Sequence, residues 1–263
     1  MAFQLDFGAT LADEIVGSRE ERAQTADVAV ERHRCTVVAF VGLAFEARIA
    51  AGPGVHVVCR TAGHELEAVA ETAVRRGYRG MISFGVAGGL AAHLRAGDWV
   101  VASAIREPHE SHDSHGAHSN RSTDAVWSRR LLSLIGRAVH APIVGVDTPV
   151  AEPAKKRELH RTTGAAVVDM ESHLMARVAA EHELAFAAVR VVVDPAHREV
   201  PSAALLNMRP DGRADTRAMM RDVIARPSQL SPLARIAMDA FAARSQMLRV
   251  RRLLGPSFGF AEA

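Results

Sequence analysis

The sequence predicts an α/β fold, with one domain of three layers (α/β/α) in which helices cover both faces of a central mixed β-sheet. Short valine-rich runs such as VVAFV recur along the chain, which is typical of strands buried on both faces. Segments of helical length separate these runs, and such alternation implies helices packed on a sheet. The length of 263 residues, with 48% hydrophobic and 24% charged residues, fits one such domain.

The first half of the chain predicts an extension and then the start of the sheet. Residues 1–34 have mixed charge and weak periodicity, so we expect a poorly ordered or peripheral N-terminal extension before a domain that spans 35–263. The elements predicted next are strands at 35–43 and 55–60, a helix at 64–77 that ends at Gly77, and a strand at 80–85.

The second half continues the alternation of strands and helices. The predicted elements are a strand at 98–105, a helix at 124–139, strands at 142–147 and 165–170, a helix at 171–183 and a strand at 185–194. The pattern contains no internal repeat and no domain boundary, which again favours a single domain.

The C-terminal segment 231–256 combines an apolar stripe with several arginines. One interpretation is a terminal helix that packs on the domain. The other is a basic amphipathic helix that lies on an anionic membrane surface. We favour the packed helix, because an apolar stripe on a helix most often faces a core.

Composition and charge limit the classes of function. The chain carries 32 basic and 30 acidic residues, a net charge of +2, which does not predict a nucleic-acid partner. We find neither an apolar run of the roughly 18 residues that a membrane-spanning helix needs nor the basic and apolar regions of a signal peptide. We therefore expect a cytoplasmic protein.

Chemically distinctive residues follow the predicted strands. Glu46 comes shortly after the first strand, glycines 85–89 follow MISF, Glu171 follows VVDM, and Asp194 ends VRVVVD. Because ligands of α/β sheets bind beyond the carboxyl ends of strands, we expect these residues to meet at one site.

The glycine-rich segment consists of Gly85, Val86, Ala87, Gly88 and Gly89. Without side chains in the way, its backbone N–H groups could bind an anion or a polarised water. It has neither the G-x-G-x-x-G spacing of dinucleotide-binding loops nor the Lys-Ser/Thr of a Walker loop. An ordinary tight turn explains the glycines equally well.

Glu171 lies where a strand gives way to a helix. Its carboxylate could accept two hydrogen bonds, which suits the adjacent 2' and 3' hydroxyls of a ribose. The alternative is an acid that the dipole of the following helix favours. Met170 beside it could pack on a sugar face or belong to the core.

Asp194 ends an apolar strand and is followed by Pro195. A carboxyl group at an apolar wall can have a raised pKa and act as a general acid, although Asp-Pro is also a common turn. Arg190 shares a face of the strand with Asp194 by period-two alternation, which predicts an arginine–carboxylate contact in this site.

The segment EPHESHDSHGAHSN, residues 107–120, places four histidines at three-residue spacing. Histidine and carboxylate side chains are common metal ligands, but Ser, Gly and Asn throughout the segment do not predict a rigid cage. We predict no metal site. We interpret the segment as a mobile loop at the site, from which His109 contacts substrate or nucleophile.

Three motifs in order resemble those of the nucleoside phosphorylase family, which includes purine nucleoside phosphorylase and methylthioadenosine/S-adenosylhomocysteine nucleosidase. They are an early VGLAFEARIA, then GVAGGL followed by GDWVV, then VVDMES with VRVVVD. The resemblance covers about residues 36–195. The tail that follows resembles the hopanoid-associated phosphorylase branch, which acts on adenosylhopane.

The resemblance implies a role for each position. Asp194 matches the acid that protonates N7 of the purine, Glu171 the carboxylate that binds the ribose hydroxyls, and Met170 the residue under the sugar. Glu46 matches the glutamate that activates water in the nucleosidases. Residues 85–88 match the wall that holds the attacking phosphate or water.

The sequence also departs from the family pattern. Val86 stands where the nucleosidases have Ser or Thr, and no arginine immediately precedes Gly85, so the use of phosphate as co-substrate stays open. A phenylalanine that stacks on the base in the nucleosidases is replaced near Val150. Val150 and Arg190 are expected near the base.

These expectations combine into an enzyme that cleaves the N-glycosidic bond of a 5'-substituted adenine nucleoside, adenosylhopane being the most specific substrate. No metal or organic cofactor is implied. Alternatives are a methylthioadenosine-type nucleosidase, a purine nucleoside phosphorylase, and a protein that binds a nucleoside without turnover. The family further implies a homo-oligomer, and a lipid-linked substrate would bring peripheral membrane contact.

Overall fold

A mixed β-sheet, with eight strands in the described residues, lies at the centre of the fold. The computed structural model describes residues 37–59, 68, 71–108, 120–201 and 230–260. The strands are β1 Val37–Val41, β2 Val55–Cys59, β3 Gly80–Gly89, β4 Trp99–Arg106, β5 Asn120–Ser122, β6 Ala138–Gly145, β7 Val167–Asp169 and β8 Ala185–Asp194. The extension predicted at 1–34 lies outside the described residues.

Helices cover both faces of this sheet. They are α1 Ala44–Ala50, α2 Ala125–Ile135, α3 Pro153–Thr163, α4 Ser172–Glu181 and α5 Leu230–Leu254, and residues 71–75 are also helical. Helix α4 contributes to the hydrophobic core on one face, and α2 and α5 contribute to the core on the other. The predicted single α/β domain with a mixed sheet is confirmed.

The order of the strands closes part of the sheet into a ring. The order is β2-β1-β3-β7-β6-β4-β5, and β8 pairs with both β3 and β4. Strand β8 is parallel to β3 and antiparallel to β4, whereas β7 is antiparallel to β3. Strands β3, β7, β6, β4 and β8 therefore form a continuous circuit of paired neighbours.

The register of this ring brings several strand ends to one place. Gly88 of β3 is opposite both Val168 of β7 and Asp194 of β8, and Asp169 of β7 is opposite Gly145 of β6. The carboxyl ends of β3, β6, β7 and β8 consequently converge.

A bulge in β8 sets the position of its last residue. Ala87 is opposite Val192, but Gly88 is opposite Asp194, so Val193 is an extra residue on β8. A bulge re-aims the side chains beyond it. The strict alternation that placed Arg190 and Asp194 on one face therefore does not hold to the end of the strand.

Several elements differ from the sequence prediction. Residues 86–89 continue strand β3 instead of forming a tight turn. The helix predicted at 124–139 ends at Ile135, because Gly136 adopts a φ of 75°, and β6 begins at Ala138. Helices α1 and α3 and strand β5 were not predicted; α3 buries only Lys156 and Thr163 and so has no apolar periodicity.

Helix α5 packs on the domain, as predicted for the C-terminal segment. Met247, Val250 and Leu254 of α5 lie in the core with Phe84 and Trp99. On its outer side, Met238 is 66% exposed and Phe241 70% exposed. Within the described residues, no helix is both long and apolar enough to cross a membrane.

Replacement of two methionines on α5 tests this packing. Met247 is fully buried and Met238 is 66% exposed, so Met247→Ala should lower the free energy of unfolding by about 2–5 kcal/mol. Met238→Ala should change it by less than about 0.5 kcal/mol. Urea unfolding of both variants makes the comparison, and equal effects would contradict the packing of α5.

Candidate active site

A cavity of about 420 Å³ lies at the converging strand ends. Four segments supply most of its wall: the start of α1, the end of β3, the β6–α3 connection and the β7–α4 junction. The end of β8 completes it. The lining residues are Gly42, Leu43, Glu46, Val86, Ala87, Gly88, Val146, Pro149, Val150, Ala151, Val168, Asp169, Met170, Glu171, Arg190, Val193, Asp194 and Val200.

Most of the site residues expected from the sequence border this cavity. They are Glu46, Val86, Ala87, Gly88, Val150, Met170, Glu171, Arg190 and Asp194. Gly85 lies behind the cavity, against the carboxyl group of Glu46. His109 and the other histidines of its segment lie outside the described residues, so their roles stay predictions.

Three backbone N–H groups hold Glu46. Its Oε2 accepts hydrogen bonds from the nitrogens of Gly42 and Leu43, both at 2.8 Å, and its Oε1 accepts one from the nitrogen of Val86 at 2.7 Å. These contacts join the start of α1 to the end of β3. The carboxyl group is therefore fixed at the cavity wall, with only 2% of the residue exposed.

Two glycines make room for the carboxyl groups of the cavity. A Cβ at Gly85 would lie 2.6 Å from Oε1 of Glu46, and a Cβ at Gly42 would lie 2.9 Å from Oε1 of Glu171. Any side chain at either position would displace a glutamate. The glycine of β3 is thus required by close packing and not by a turn.

Burial raises the pKa of Glu46 to about 7. The cost of removing a charged carboxylate from water is the main cause, and the negative charge of Glu171 adds to it. Arg190 and the N–H groups of Val86 and Leu43 act in the opposite direction. A carboxyl group with a pKa near neutrality is suited to general base chemistry.

The guanidinium group of Arg190 is buried among polar partners. Its Nε donates to Oδ2 of Asp169 at 2.6 Å, and its Nη2 donates to the hydroxyl of Ser83 at 2.5 Å and to that of Ser172 at 3.2 Å. The Ser172 hydroxyl also donates to Asp169. The predicted arginine–carboxylate contact exists, but its partner is Asp169 and not Asp194.

Glu171 lies at the start of α4 beside this network. Its Oε2 is 3.9 Å from Nη2 of Arg190, and its side chain is 19% exposed. Asp169 in contrast is almost fully enclosed, with 1% of its side chain exposed. Asp169 therefore neutralises Arg190, and Glu171 is the more accessible carboxylate for a ligand.

Asp194 borders the cavity from the end of β8 and contacts a buried lysine. Oδ2 of Asp194 accepts a hydrogen bond from Nζ of Lys156 at 2.5 Å. Burial raises the pKa of Asp194, and the positive charge of Lys156 opposes that rise. The carboxyl group is thus a candidate proton donor that is in contact with the ammonium group of Lys156.

Sequence reasoning missed Asp169, Lys156 and the two serines of the Arg190 network. Asp169 ends β7 directly before Met170. Its position at a strand end could have identified it, but the sequence analysis considered only Glu171 there. Lys156 offers a weaker signal: it occupies the inner face of a polar helix where an apolar residue would be expected.

The cavity is apolar between its charged groups. None of the described lining residues is aromatic, and valines form much of the wall. A planar base would therefore contact aliphatic groups, among them Val150. Of the described lining residues, Arg190 is the one cation, against the carboxyl groups of Glu46, Asp169, Glu171 and Asp194.

Comparison of the sequence with protein families identifies one match. The sequence profile described as the phosphorylase superfamily matches residues 12–225, which is most of the chain. No curated protein matches the sequence significantly.

Solved structures share the fold at low sequence identity. A putative methylthioadenosine nucleosidase from Weissella paramesenteroides is 17% identical, with a TM-score of 0.57 over 84% of this chain and 97% of that one. The futalosine hydrolase of Helicobacter pylori is 12% identical, with a TM-score of 0.57 over 83% and 97%. The S-adenosylhomocysteine nucleosidase from Streptococcus pyogenes, in complex with 5-methylthiotubericidin, is 14% identical, with a TM-score of 0.56 over 78% and 97%.

Titration of Glu46 tests the electrostatics of the cavity. Because its pKa is about 7 in the folded protein and 4.5 ordinarily, the folded state binds more protons between these values. Its contribution to stability is present at low pH and is lost as the pH rises through this window. We expect its carboxyl carbon resonance to titrate near pH 7 by NMR, and Glu46→Gln to remove that resonance. Titration of this resonance near 4.5 would contradict the raised pKa.

Proposed function

The chain belongs to the phosphorylase superfamily, and from this membership and the geometry of the cavity we propose that it cleaves the N-glycosidic bond of a purine nucleoside. The observation that carries the proposal is the placement of three carboxyl groups, Glu46, Glu171 and Asp194, around one cavity. Each group has a different environment, which allows each to have a different task.

The spacing along β3 suits a nucleoside. Glu46 accepts from Val86, whereas a Cβ at Gly88 would lie 3.6 Å from Oδ1 of Asp194. Two residues of a strand span about 6.6 Å. We place the nucleoside between these positions, with the base toward Asp194 and the side of the anomeric carbon opposite the base toward Glu46.

The proposed reaction starts at the base. Asp194 donates a proton to N7 of the purine while the bond between the base and the anomeric carbon breaks, and the bonding electrons leave with the base. Glu171 binds the ribose hydroxyls, and its negative charge stabilises the positive charge that develops on the sugar. Glu46 takes a proton from the nucleophile that attacks the anomeric carbon. No metal or organic cofactor takes part.

We propose that the nucleophile is water. A phosphate dianion at Glu46 would approach Glu171 as well, and the one cation among the described lining residues, Arg190, is already paired with Asp169. Like charges that lie close together repel, and the repulsion is stronger away from bulk water. Water carries no such cost, so the charge balance favours hydrolysis over phosphorolysis.

Adenosylhopane is the most specific substrate that we propose. Its support is the resemblance of the C-terminal tail to the hopanoid-associated branch, and the apolar cavity wall is consistent with an apolar 5'-substituent. The segment at 202–229 that carries much of this resemblance lies outside the described residues. A small 5'-modified adenosine is the second candidate, because the fold is shared with nucleosidases for such compounds.

The outer side of α5 supports contact with a membrane that holds such a substrate. Met238, Phe241, Leu248 and Leu253 are exposed apolar residues on α5, and Arg235, Arg244, Arg249 and Arg252 are exposed cations on it. The one acidic residue of α5, Asp239, is paired with Arg198. An exposed surface that combines apolar side chains and positive charge is suited to anionic lipid. We also propose that the protein is a homo-oligomer, because the resemblance to the family implies one.

Adenine release with and without phosphate tests the reaction. We expect equal rates under both conditions and a free sugar as product, because water is the nucleophile.

Asp194→Asn, which cannot donate the proton, should lower kcat by at least about 100-fold. Unchanged release by this variant would remove Asp194 from the reaction. Release that needs phosphate would indicate phosphorolysis, and bound adenine without turnover would indicate a binding protein.

Substrates with different 5'-substituents test the lipid proposal. We expect kcat/KM for an adenosine with a long alkyl substituent, presented in anionic vesicles, to exceed that for methylthioadenosine by at least about tenfold, which the burial of two methylene groups would supply. Phe241→Ser should lower the rate with the substrate in vesicles and leave the rate with methylthioadenosine unchanged. A strong preference for methylthioadenosine would overturn the lipid proposal.

A further inference from the structure

Lys156 is the one lysine that the described helices bury completely. It lies on α3, whose other side chains are mostly polar and exposed. Its Nζ is 2.5 Å from Oδ2 of Asp194 and 2.9 Å from the carbonyl oxygen of Arg198. The carbonyl oxygens of Asp194 and Pro195 are each 3.3 Å away. Among the described residues, these four oxygen acceptors form a site for an ammonium cation.

This lysine lies behind Asp194 as seen from the cavity. Asp194 borders the cavity, and Lys156 is absent from the described lining residues. A substrate in the cavity would meet the carboxyl group and not the ammonium group. Any effect of Lys156 on the reaction must therefore pass through Asp194.

We propose that Lys156 is a positioning residue for the acid step: it holds Oδ2 of Asp194, directs Oδ1 to the base, and stabilises the carboxylate that remains after proton transfer. The inference rests on the proposed function, because it assigns a partner to the proposed acid. It explains why a lysine occupies a buried position on the inner face of a polar helix.

The chemistry of base release gives this contact its role. The proton moves from the Asp194 carboxyl group to N7 of the purine, and the departing base takes the electrons of its bond to the sugar. Asp194 is then a carboxylate in a buried site, where an unpaired charge is costly. The ammonium group of Lys156 lowers that cost, so Asp194 gives up its proton more readily in the transition state.

Other charged groups face Asp194 from the elements around it. Asp239 on α5 raises the pKa of Asp194, in opposition to Lys156. Nε of Arg198, in the segment after β8, donates to Oδ2 of Asp239 at 2.9 Å, which reduces the influence of that carboxylate. Lys156 is thus the one cation among the described residues that contacts Asp194 directly.

The pH dependence of Lys156→Met tests the proposal. Asp194 must be protonated to act as an acid, so the rate falls as the pH rises through its pKa. Removal of a cation in direct contact should move this alkaline limb upward by about 1–3 pH units. We also expect kcat to fall by about tenfold or more, with KM changed by less than about twofold. A loss of activity through misfolding would not shift the limb in this way.

A double-mutant cycle with Asp194→Asn separates positioning from general damage. If Lys156 acts through Asp194, adding Lys156→Met to Asp194→Asn should change kcat by less than about twofold. Additive losses, or an alkaline limb that stays at the wild-type pH, would overturn the inference. Should Lys156→Met fail to fold, Lys156→Gln, which has no charge but keeps a donor, takes its place in the cycle.

Asp239→Asn is the matched control, since it removes a charge of the opposite sign near the same carboxyl group. It should move the alkaline limb downward or leave it in place. If the wild-type protein releases no base, the proposed function fails first, and the carboxyl resonance of Asp194 then tests Lys156 separately. The pKa of Asp194 measured by NMR should be higher in Lys156→Met than in the wild type. Equal pKa values would show that Lys156 does not stabilise the Asp194 carboxylate, and would overturn the inference.

Discussion

The buried guanidinium group of Arg190 is the contact on which the geometry of the cavity depends. A charge that is 1% exposed is tolerated only when its hydrogen bonds are made. Arg190 meets this requirement with Asp169 of β7, Ser83 of β3 and Ser172 of α4. One side chain of β8 thereby ties two strands and a helix together. The loss of a partner would leave a buried charge unpaired, so the position of the β7–α4 junction is strongly constrained.

Two carboxyl groups of the cavity are buried in different ways. Glu46 is held by three backbone N–H groups, whereas Asp194 is held by a lysine ammonium group. Burial raises the pKa of both. In the proposed reaction Glu46 accepts a proton and Asp194 donates one, and the cation beside Asp194 favours the charged form that remains after donation. The environments of the two groups thus match opposite tasks.

Much of the fold was predictable because its strands are continuous apolar runs. The strands around Val37–Val41 and Ala185–Asp194 were placed within two residues of their bounds. Helix α3 was missed, since its inner face carries Lys156 instead of an apolar residue. For the glycine segment, the sequence did not decide between a turn and a ligand-binding loop. In the structure Gly85 belongs to β3 and leaves room for the carboxyl group of Glu46. The sequence pattern around Gly85 could not show this, because Glu46 lies 39 positions earlier in the chain.

The sequence alone determined which chemical groups stand at the ends of strands, because hydrophobic periodicity is a local property. It placed Glu46 and Glu171 shortly after strands and Asp194 at the end of one, and all three border one cavity. The tertiary structure decided which charge pairs with which. Period-two alternation predicted a contact between Arg190 and Asp194. In the structure, which has a bulge at Val193 and a closed ring of strands, Arg190 pairs with Asp169, and Asp194 pairs with Lys156. Ion pairs form between groups that are close in space, and register between distant segments sets that proximity.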